Sequence, residues 1–438
     1  MAAGRGGEGR ANTPSGWRSA VNVFATPRVL LLTALGFSSG LPLYLTGQTL
    51  QAWMTREGVS LETIGIFSLV GMPYTLKFLW APLVDRYGLG VLGRRRGWMA
   101  ATQALLLLAI GVLGTLNPST APLAVASVAL GVALLSATQD ISVDAYRTDL
   151  LPERERAAGT ATFVMGYRLA LIAAGAGALI LSDHLGWRTV YWVMAGLMLL
   201  GVAATLRAPE PQGVPAPPSL AAAVIDPLRE WFSRPAAVSV LVFLVLYKCG
   251  DEVARGMITS FLVKQGFSNT EIGAVNQGFG MAATIVGVFF AGGFVAKLGV
   301  RRALLVFGIL QAATNGLYLL LALGGKSYAL LWASIGADNL TGGMATAAFV
   351  AFLMGLCDRR FTATQYALLS SLAAFGGRLL SSGSGYVAER VGWPGFFAVT
   401  IALAVPGLVM LRFLPQRLRP EEEQRVEAPE AVGSAQSG

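Results

Sequence analysis

This chain has little charge. Of its 438 residues, 13% are Asp, Glu, Lys or Arg, against 54% hydrophobic, whereas a soluble domain carries about a quarter charged residues. The deficit runs along the whole chain. Apolar stretches of about 20 residues recur, each long enough to cross a hydrocarbon core of roughly 30 Å. With a mean hydropathy of +0.59, the sequence reads as an all-α, polytopic membrane protein. Cysteine is nearly absent: Cys249 and Cys357 supply no disulfide framework and read as small apolar fillers. A single histidine, His184, gives those cysteines no partner for a metal cluster, so no metal is expected. No G-x-x-x-x-G-K-[ST] occurs, which argues against ATP hydrolysis, and no cofactor is expected. The net charge of +9 is no nucleic-acid footprint, because the basic residues lie between apolar spans, where the positive-inside rule puts them.

One motif points to an enzyme and fails. GFSSG (36–40) matches G-x-S-x-G, but a hydrolase elbow needs a strand-to-helix turn and a histidine base. Ser38 lies inside an apolar helix, and His184 sits in a loop near the far side. Small residues that let helices pack closely explain the stretch better.

Hydropathy predicts twelve spans, near 29–53, 61–82, 97–116, 121–146, 157–182, 187–206, 236–263, 270–296, 302–322, 327–355, 362–388 and 393–414. The chain thus divides into a tail (1–28), a six-span half (29–207), a linker (208–234), a second six-span half (235–415) and a second tail (416–438). The linker's prolines, Pro209, Pro211, Pro215, Pro217 and Pro218, exclude a helix interior, and 219–233 suits a short helix along the membrane surface. The first residues, MAAGRGGEGRANTPSGW, show no signal peptide and read as a disordered tail. Arginines and lysines alternate by side: Arg28, Arg86, Arg94, Arg95, Arg96, Arg154, Arg156, Arg229, Arg234, Lys297, Arg301, Arg302, Arg359, Arg360 and Arg412 all fall on one side. Both termini are therefore expected in the cytoplasm.

Two loops repeat each other. APLVDRYGLGVLGRRRG follows span two and GGFVAKLGVRRAL follows span eight. They resemble the loop motif of the major facilitator superfamily, small-x-x-x-Asp-Arg-x-Gly-x-Arg-Arg. The first copy has an insertion and the second lacks the acid. The resemblance implies the fold of that superfamily, twelve helices in two pseudo-symmetric halves, and gives Asp85, Arg86, Arg94, Arg95, Lys297, Arg301 and Arg302 a role in gating.

A charge at a helix centre costs about 2.5–3.5 kcal/mol, so charges inside spans mark a cavity or a partner. Asp140, Asp144 and Arg147 follow one another at i, i+4 and i+7 on span four, which puts them on one face. Lys77 sits in span two, either snorkelling or functional. Arg168 in span five and Arg378 in span eleven occupy matching positions, suited to clamping carboxylates or to pairing with nearby acids. Lys248, Asp251, Glu252 and Arg255 lie in span seven at spacings that allow intrahelical pairs, around Gly250, which suggests a flexible, water-lined segment. Span ten carries Asp338 and Asn339. A buried carboxylate is a plausible proton carrier, so Asp140, Asp144, Asp251, Glu252 and Asp338 are candidates for proton coupling, in a secondary transporter driven by protons.

Longer stretches are more specific: LGFSSGLPLYLTGQTLQAWM (35–54), IGIFSLVGMPYTLKFLWAPLVDRY (64–87), SATQDISVDAYRTDLLP (136–152), NLTGGMATAAFVAFLM (339–354) and TATQYALLSSLAAFGGR (362–378). Together they resemble the AmpG-type muropeptide permeases. That resemblance implies proton-driven import of N-acetylglucosaminyl-1,6-anhydro-N-acetylmuramyl peptides across the bacterial inner membrane, for peptidoglycan recycling, with a link to β-lactamase induction in some bacteria. Some family members carry two extra spans, for which this chain has no room. Such a cargo needs cations for its carboxylates, here Arg168, Arg378 and Lys248. It also needs hydrogen-bonding groups, here Gln48, Gln51, Gln139, Asn276, Gln277 and Asn339. Tyr44, Tyr167 and Trp53 are candidates for stacking on sugar faces, though anchoring at the membrane interface suits Trp53 better. The chain is expected to act as a monomer in the bilayer, with muropeptide and protons as its partners. The alternatives are another cargo, such as acetyl-CoA, or a sensor that binds muropeptide without moving it.

Overall fold

The computed structural model describes residues 27–89, 92–151, 153–211, 229, 231–234, 236–357 and 362–414. Most of both tails, most of the linker with its expected surface helix, and Arg359 and Arg360 lie outside the described residues. So do the side chains of Asp85, Arg86, Arg154 and Arg156.

Twelve crossings are present among the described residues. In the first half these are α1 (Pro27–Leu45), α2 (Leu61–Ile66 through Ala81–Arg86), α3 (Arg94–Leu113), α4 (Pro122–Leu150), α5 (Glu153–Ile172 through Ala178–Ser182) and α6 (Trp187–Arg207). The second half has α7 (Ala237–Arg255), α8 (Asn269–Leu298), α9 (Val300–Gly324), α10 (Tyr328–Leu356), α11 (Thr362–Ser382) and α12 (Ser384–Phe413). Eight are, by length and composition, apolar enough to cross a membrane; α1, α2, α7 and α11 are interrupted or polar. Large apolar side chains such as Phe289, Leu123 and Phe413 are exposed around the outside, where a bilayer would cover them.

The packing repeats from half to half. α1 lies on α5 as α7 lies on α11, α3 on α4 as α9 on α10, and α3 on α6 as α9 on α12. Glycines set the closest approaches: a Cβ on Gly36 would collide with the Phe163 carbonyl, and one on Gly166 with that of Thr33. Gly250 is buried in the same manner, 2.6 Å separating its notional Cβ from the Thr400 carbonyl oxygen. It serves packing of α7 on α12, and is not the flexible point expected from the sequence.

Three expected spans are broken. Span one ends at Leu45 and restarts as Gln48–Arg56; span seven ends at Arg255 and restarts as Ile258–Lys264. Span eleven ends at Ser382, and the next helix bends at Gly392, whose φ of 69° is open to glycine. Hydropathy merges these pieces because apolar side chains continue into them: Leu50, Trp53, Phe261 and Leu262 are buried. They are buried at one end of the molecule, not in lipid.

At that end the halves meet. Gln48–Arg56 packs on Ile258–Lys264, α2 on α11 and the start of α12, and α5 on α8. The end carries a second duplication. REGVSLETIG (56–65) matches KQGFSNTEIG (264–273), and DHLGW (183–187) matches ERVGW (389–393). Gly58 and Gly266 have φ of 76° and 85°, and Ser60 and Ser268 each cap a helix by accepting from a backbone N–H three residues on. Trp53 stacks on Trp187 and packs on Tyr191, as Phe261 packs on Trp393 and Phe397. Trp53 is thus a core residue and no stacking platform for cargo. Toward the arginine-bearing end, no helices of opposite halves are in extensive contact among the described residues.

Gly166→Val should lower the thermal unfolding midpoint in detergent, by the equivalent of about 1–3 kcal/mol or more of overpacking. Gly111→Ala, where a Cβ meets nothing within 4 Å, should leave the midpoint unchanged or raise it. Equal effects would contradict the packing described.

Candidate functional site

The charged side chains inside the spans gather between the halves. In the first half, α2 loses regular helix geometry between Phe67 and Leu79, and this irregular stretch carries Lys77 toward α4. Lys77 Nζ lies 4.0 Å from Asp144 Oδ2, and Arg147 lies 3.3 Å from Asp144 Oδ1. Asp144 is 48% exposed and Lys77 35%, so this face of α4 borders open space. Asp140 is one turn further in, with Lys77 and Asp144 as its charged neighbours. Around it the hydroxyls of Ser39, Ser136 and Tyr74 are buried, with Ser39 beside Asp140 and Ser136 beside Tyr74.

The second half holds a tighter network. Arg255 pairs with Asp251 at 2.5 Å and with Glu252 at 3.0 Å, and is itself 47% exposed. Gln311, on α9, uses one amide nitrogen to donate to Asp251 at 3.1 Å and to Asp338 at 2.7 Å. Asp338 also accepts from Thr314 and Tyr318, and Thr341 donates to the Gln311 carbonyl. Lys248 leaves the acids of its own helix and reaches Thr346 of α10, at 3.4 Å, and the Phe349 ring.

Arg168 and Arg378 occupy equivalent places. Arg168, on α5, is exposed and contacts Met281 of α8. Arg378, on α11, lies against Gly71 of α2, where a side chain would strike its guanidinium. Tyr44 lies within reach of the charges of Arg255 and Arg168, Tyr74 of Asp140 and Arg378, and Tyr167 of Asp140 and Arg168. Both halves thus contribute charges around one group of tyrosines.

Several expected binding residues lie elsewhere. Gln139 is fully buried within the first half, where it donates to Ser38 beside Gln103 and Thr205; it does not face the cavity. Gln48 accepts from Gln277, and Gln51 donates to the Gly256 carbonyl, so these three join the halves at the sealed end. Asn339 ties α10 to Thr284 of α8, and Asn276 stands half-buried in the π-helical stretch Gly273–Phe279. The sequence reading missed Gln311, Thr314, Tyr318 and Thr341. The signal was present in QAATNGLY, where polar residues fall at helical spacing on α9.

The expected gating arginines act within their own halves. Arg95 pairs with Asp149 at 2.9 Å, both largely buried. Glu210 accepts from the backbone N–H groups of Arg95 and Arg96 at the start of α3, where a carboxylate is favoured. Arg96 donates to the last carbonyls of α6, and Arg301 to those of α12. Arg94 is half-buried in the same turn; Lys297 and Arg302 are exposed.

A family model described as Major Facilitator Superfamily matches residues 32–377 and 245–436. The chain is 48% identical over 401 residues to the anhydromuropeptide permease of Escherichia coli K12, covering 91% of this chain and 82% of that one. Among solved structures, a peptide transporter of the POT type superposes with a TM-score of 0.70 at 14% identity, over 88% of this chain and 93% of the other. A bacterial homologue of the human lysosomal transporter Spinster, inward-facing and unoccupied, gives 0.67 at 15% identity, over 91% and 97%.

If Gln311 bridges the two carboxylates, Gln311→Leu and Asp338→Asn should not be additive. Thermal unfolding of the single and double variants should return a coupling of about 0.5 kcal/mol or more, against a usual interhelical bond of roughly 0.6 kcal/mol. Additive effects would mean that the bridge contributes nothing.

Proposed function

Because the chain belongs to the Major Facilitator Superfamily and, within it, to the AmpG-type permease family, we propose that it imports anhydromuropeptides from periplasm to cytoplasm in symport with protons. The observation that carries this reading is the 48% identity, along 91% of the chain, to a permease of that name. Both termini and the arginine-bearing end then face the cytoplasm, as the distribution of basic residues favours. The imported sugars feed peptidoglycan recycling and, where a β-lactamase circuit exists, its induction.

The chemistry of the site suits that cargo. Between the halves stand the acids Asp140, Asp144, Asp251, Glu252 and Asp338 and the bases Lys77, Arg147, Arg168, Lys248, Arg255 and Arg378, of which Lys77 and Arg147 lie by Asp144 and Arg255 pairs with Asp251 and Glu252. Five acids against six bases leave one net positive charge when all are ionised. A stem-peptide carboxylate offsets that excess, and further carboxylates are offset by protons taken up on the acids. Charge balance between the halves therefore links cargo to protons. Arg168 and Arg378 suit cargo carboxylates, because a guanidinium offers paired donors. Tyr44, Tyr74 and Tyr167 offer ring faces and hydroxyls to sugar. Within the acids, Asp338 and Asp251 are the leading proton carriers, since Gln311 joins them into one hydrogen-bonded unit.

The test is uptake of labelled anhydromuropeptide into proteoliposomes. An inward proton gradient should drive accumulation that a protonophore abolishes, and Asp338→Asn should lower uphill accumulation at least about tenfold while leaving cargo exchange, in which no net proton moves. A protein that binds the label without accumulating it is a sensor, and one that neither binds nor accumulates it has another cargo. Retained uphill uptake in Asp338→Asn moves the coupling to Asp251, Glu252, Asp140 or Asp144.

A further inference from the structure

The duplication at the sealed end places two carboxylates in equivalent positions, Asp183 and Glu389, each opening the repeated Asp/Glu-x-x-Gly-Trp. Both reach across to the opposite half. Asp183, at the end of α5, accepts from the backbone N–H of Thr270 in the first turn of α8, at 2.6 Å. Glu389, after α11, accepts from the backbone N–H of Leu61 in the first turn of α2, at 3.0 Å. These N–H groups have no partner within their own helix, because the first turn of any helix leaves its donors free. A carboxylate there is favoured by both the hydrogen bond and the helix dipole.

The same seams are closed by backbone contact at equivalent glycines. Gly65, on α2, is so placed that a Cβ would lie 2.8 Å from the Ser382 carbonyl oxygen; one on Gly273 of α8 would lie 3.0 Å from that of Ala176. Beside the α5–α8 seam, Arg56 donates to the Phe267 carbonyl and to Asn269, and Asn269 donates to Ser182. Glycine contacts allow close approach but do not favour one state strongly, whereas a charged hydrogen bond is made or lost as a unit.

We propose that Asp183 and Glu389 are reciprocal latches of the outer gate: each half caps a helix of the other, and both caps must release before the cavity opens at this end. They are positioning residues of the transport cycle, not cargo ligands. The inference rests on the transporter reading, since caps between halves matter only if the halves separate. It is measured without cargo, so it stands or falls apart from the identity of the cargo.

The experiment measures distances between spin labels in the purified full chain, with Cys249 and Cys357 replaced by alanine. One pair, Glu57→Cys with Lys264→Cys, spans the sealed end. A second, Thr148→Cys with Met354→Cys, spans the arginine-bearing end. All four positions are exposed. Losing an N-cap acceptor is worth about 1 kcal/mol, so Asp183→Ala or Glu389→Ala should each raise the outward-open to closed ratio roughly fivefold, and the double variant roughly twenty-five-fold. The outer pair should lengthen while the inner pair shortens, since the halves rock as bodies. An unchanged outer distance in the double variant would overturn the proposal. So would an outer lengthening with no inner change, because that is local fraying and not gate opening.

Discussion

The charged side chains gathered between the halves must be kept out of hydrocarbon, and the rest of the architecture follows from that requirement. A charge at mid-membrane is tolerated where it faces water or a partner. Here both conditions are met between two bundles: Asp144, Lys77 and Arg255 are between a third and a half exposed, while Asp251 is 10% exposed and bonded to Arg255 and Gln311. The outside of each bundle can then be apolar, and the helices that line the interior can be irregular. α2 loses helix geometry, α1 and α7 break, and α5 and α8 contain π-helical turns that face each other. Freed backbone groups of this kind are tolerated because they border protein or water instead of lipid.

The two halves divide the work unequally. The first presents its acids on one face of α4, where Lys77 and Arg147 leave Asp144 accessible. The second binds its acids into a network through α9, so that a change at Asp338 reaches Asp251 and Arg255 through one glutamine. Close glycine packing within each half adds to the stiffness of each bundle. Arg96 and Arg301, closing the ends of α6 and α12 within their own halves, add to that stiffness.

Much of this is legible in the chain. Span length and apolarity are local properties, so hydropathy finds twelve crossings and the charge pattern marks the lining face of α4. Direction is not local. Apolar side chains such as Leu50, Trp53, Phe261 and Leu262 continue past the ends of α1 and α7, and only the fold shows that Gln48–Arg56 and Ile258–Lys264 pack on each other. Polar residues mislead for a related reason. Gln139 neighbours Asp140 in sequence but turns into the bundle, and Gln48 and Gln277 bond to each other instead of facing open space. The outer duplication is visible in REGVSLETIG and KQGFSNTEIG, yet its charges are few and of both signs, without the run of arginines that marks the other loops.

The central claim is that cargo and protons move together through the charged space between the halves. Its most direct test is a pH electrode in a weakly buffered suspension of proteoliposomes. Adding anhydromuropeptide outside, with no gradient imposed, should produce a transient external alkalinisation that a protonophore collapses and that protein-free vesicles lack. Entry of cargo with no movement of protons would contradict the account.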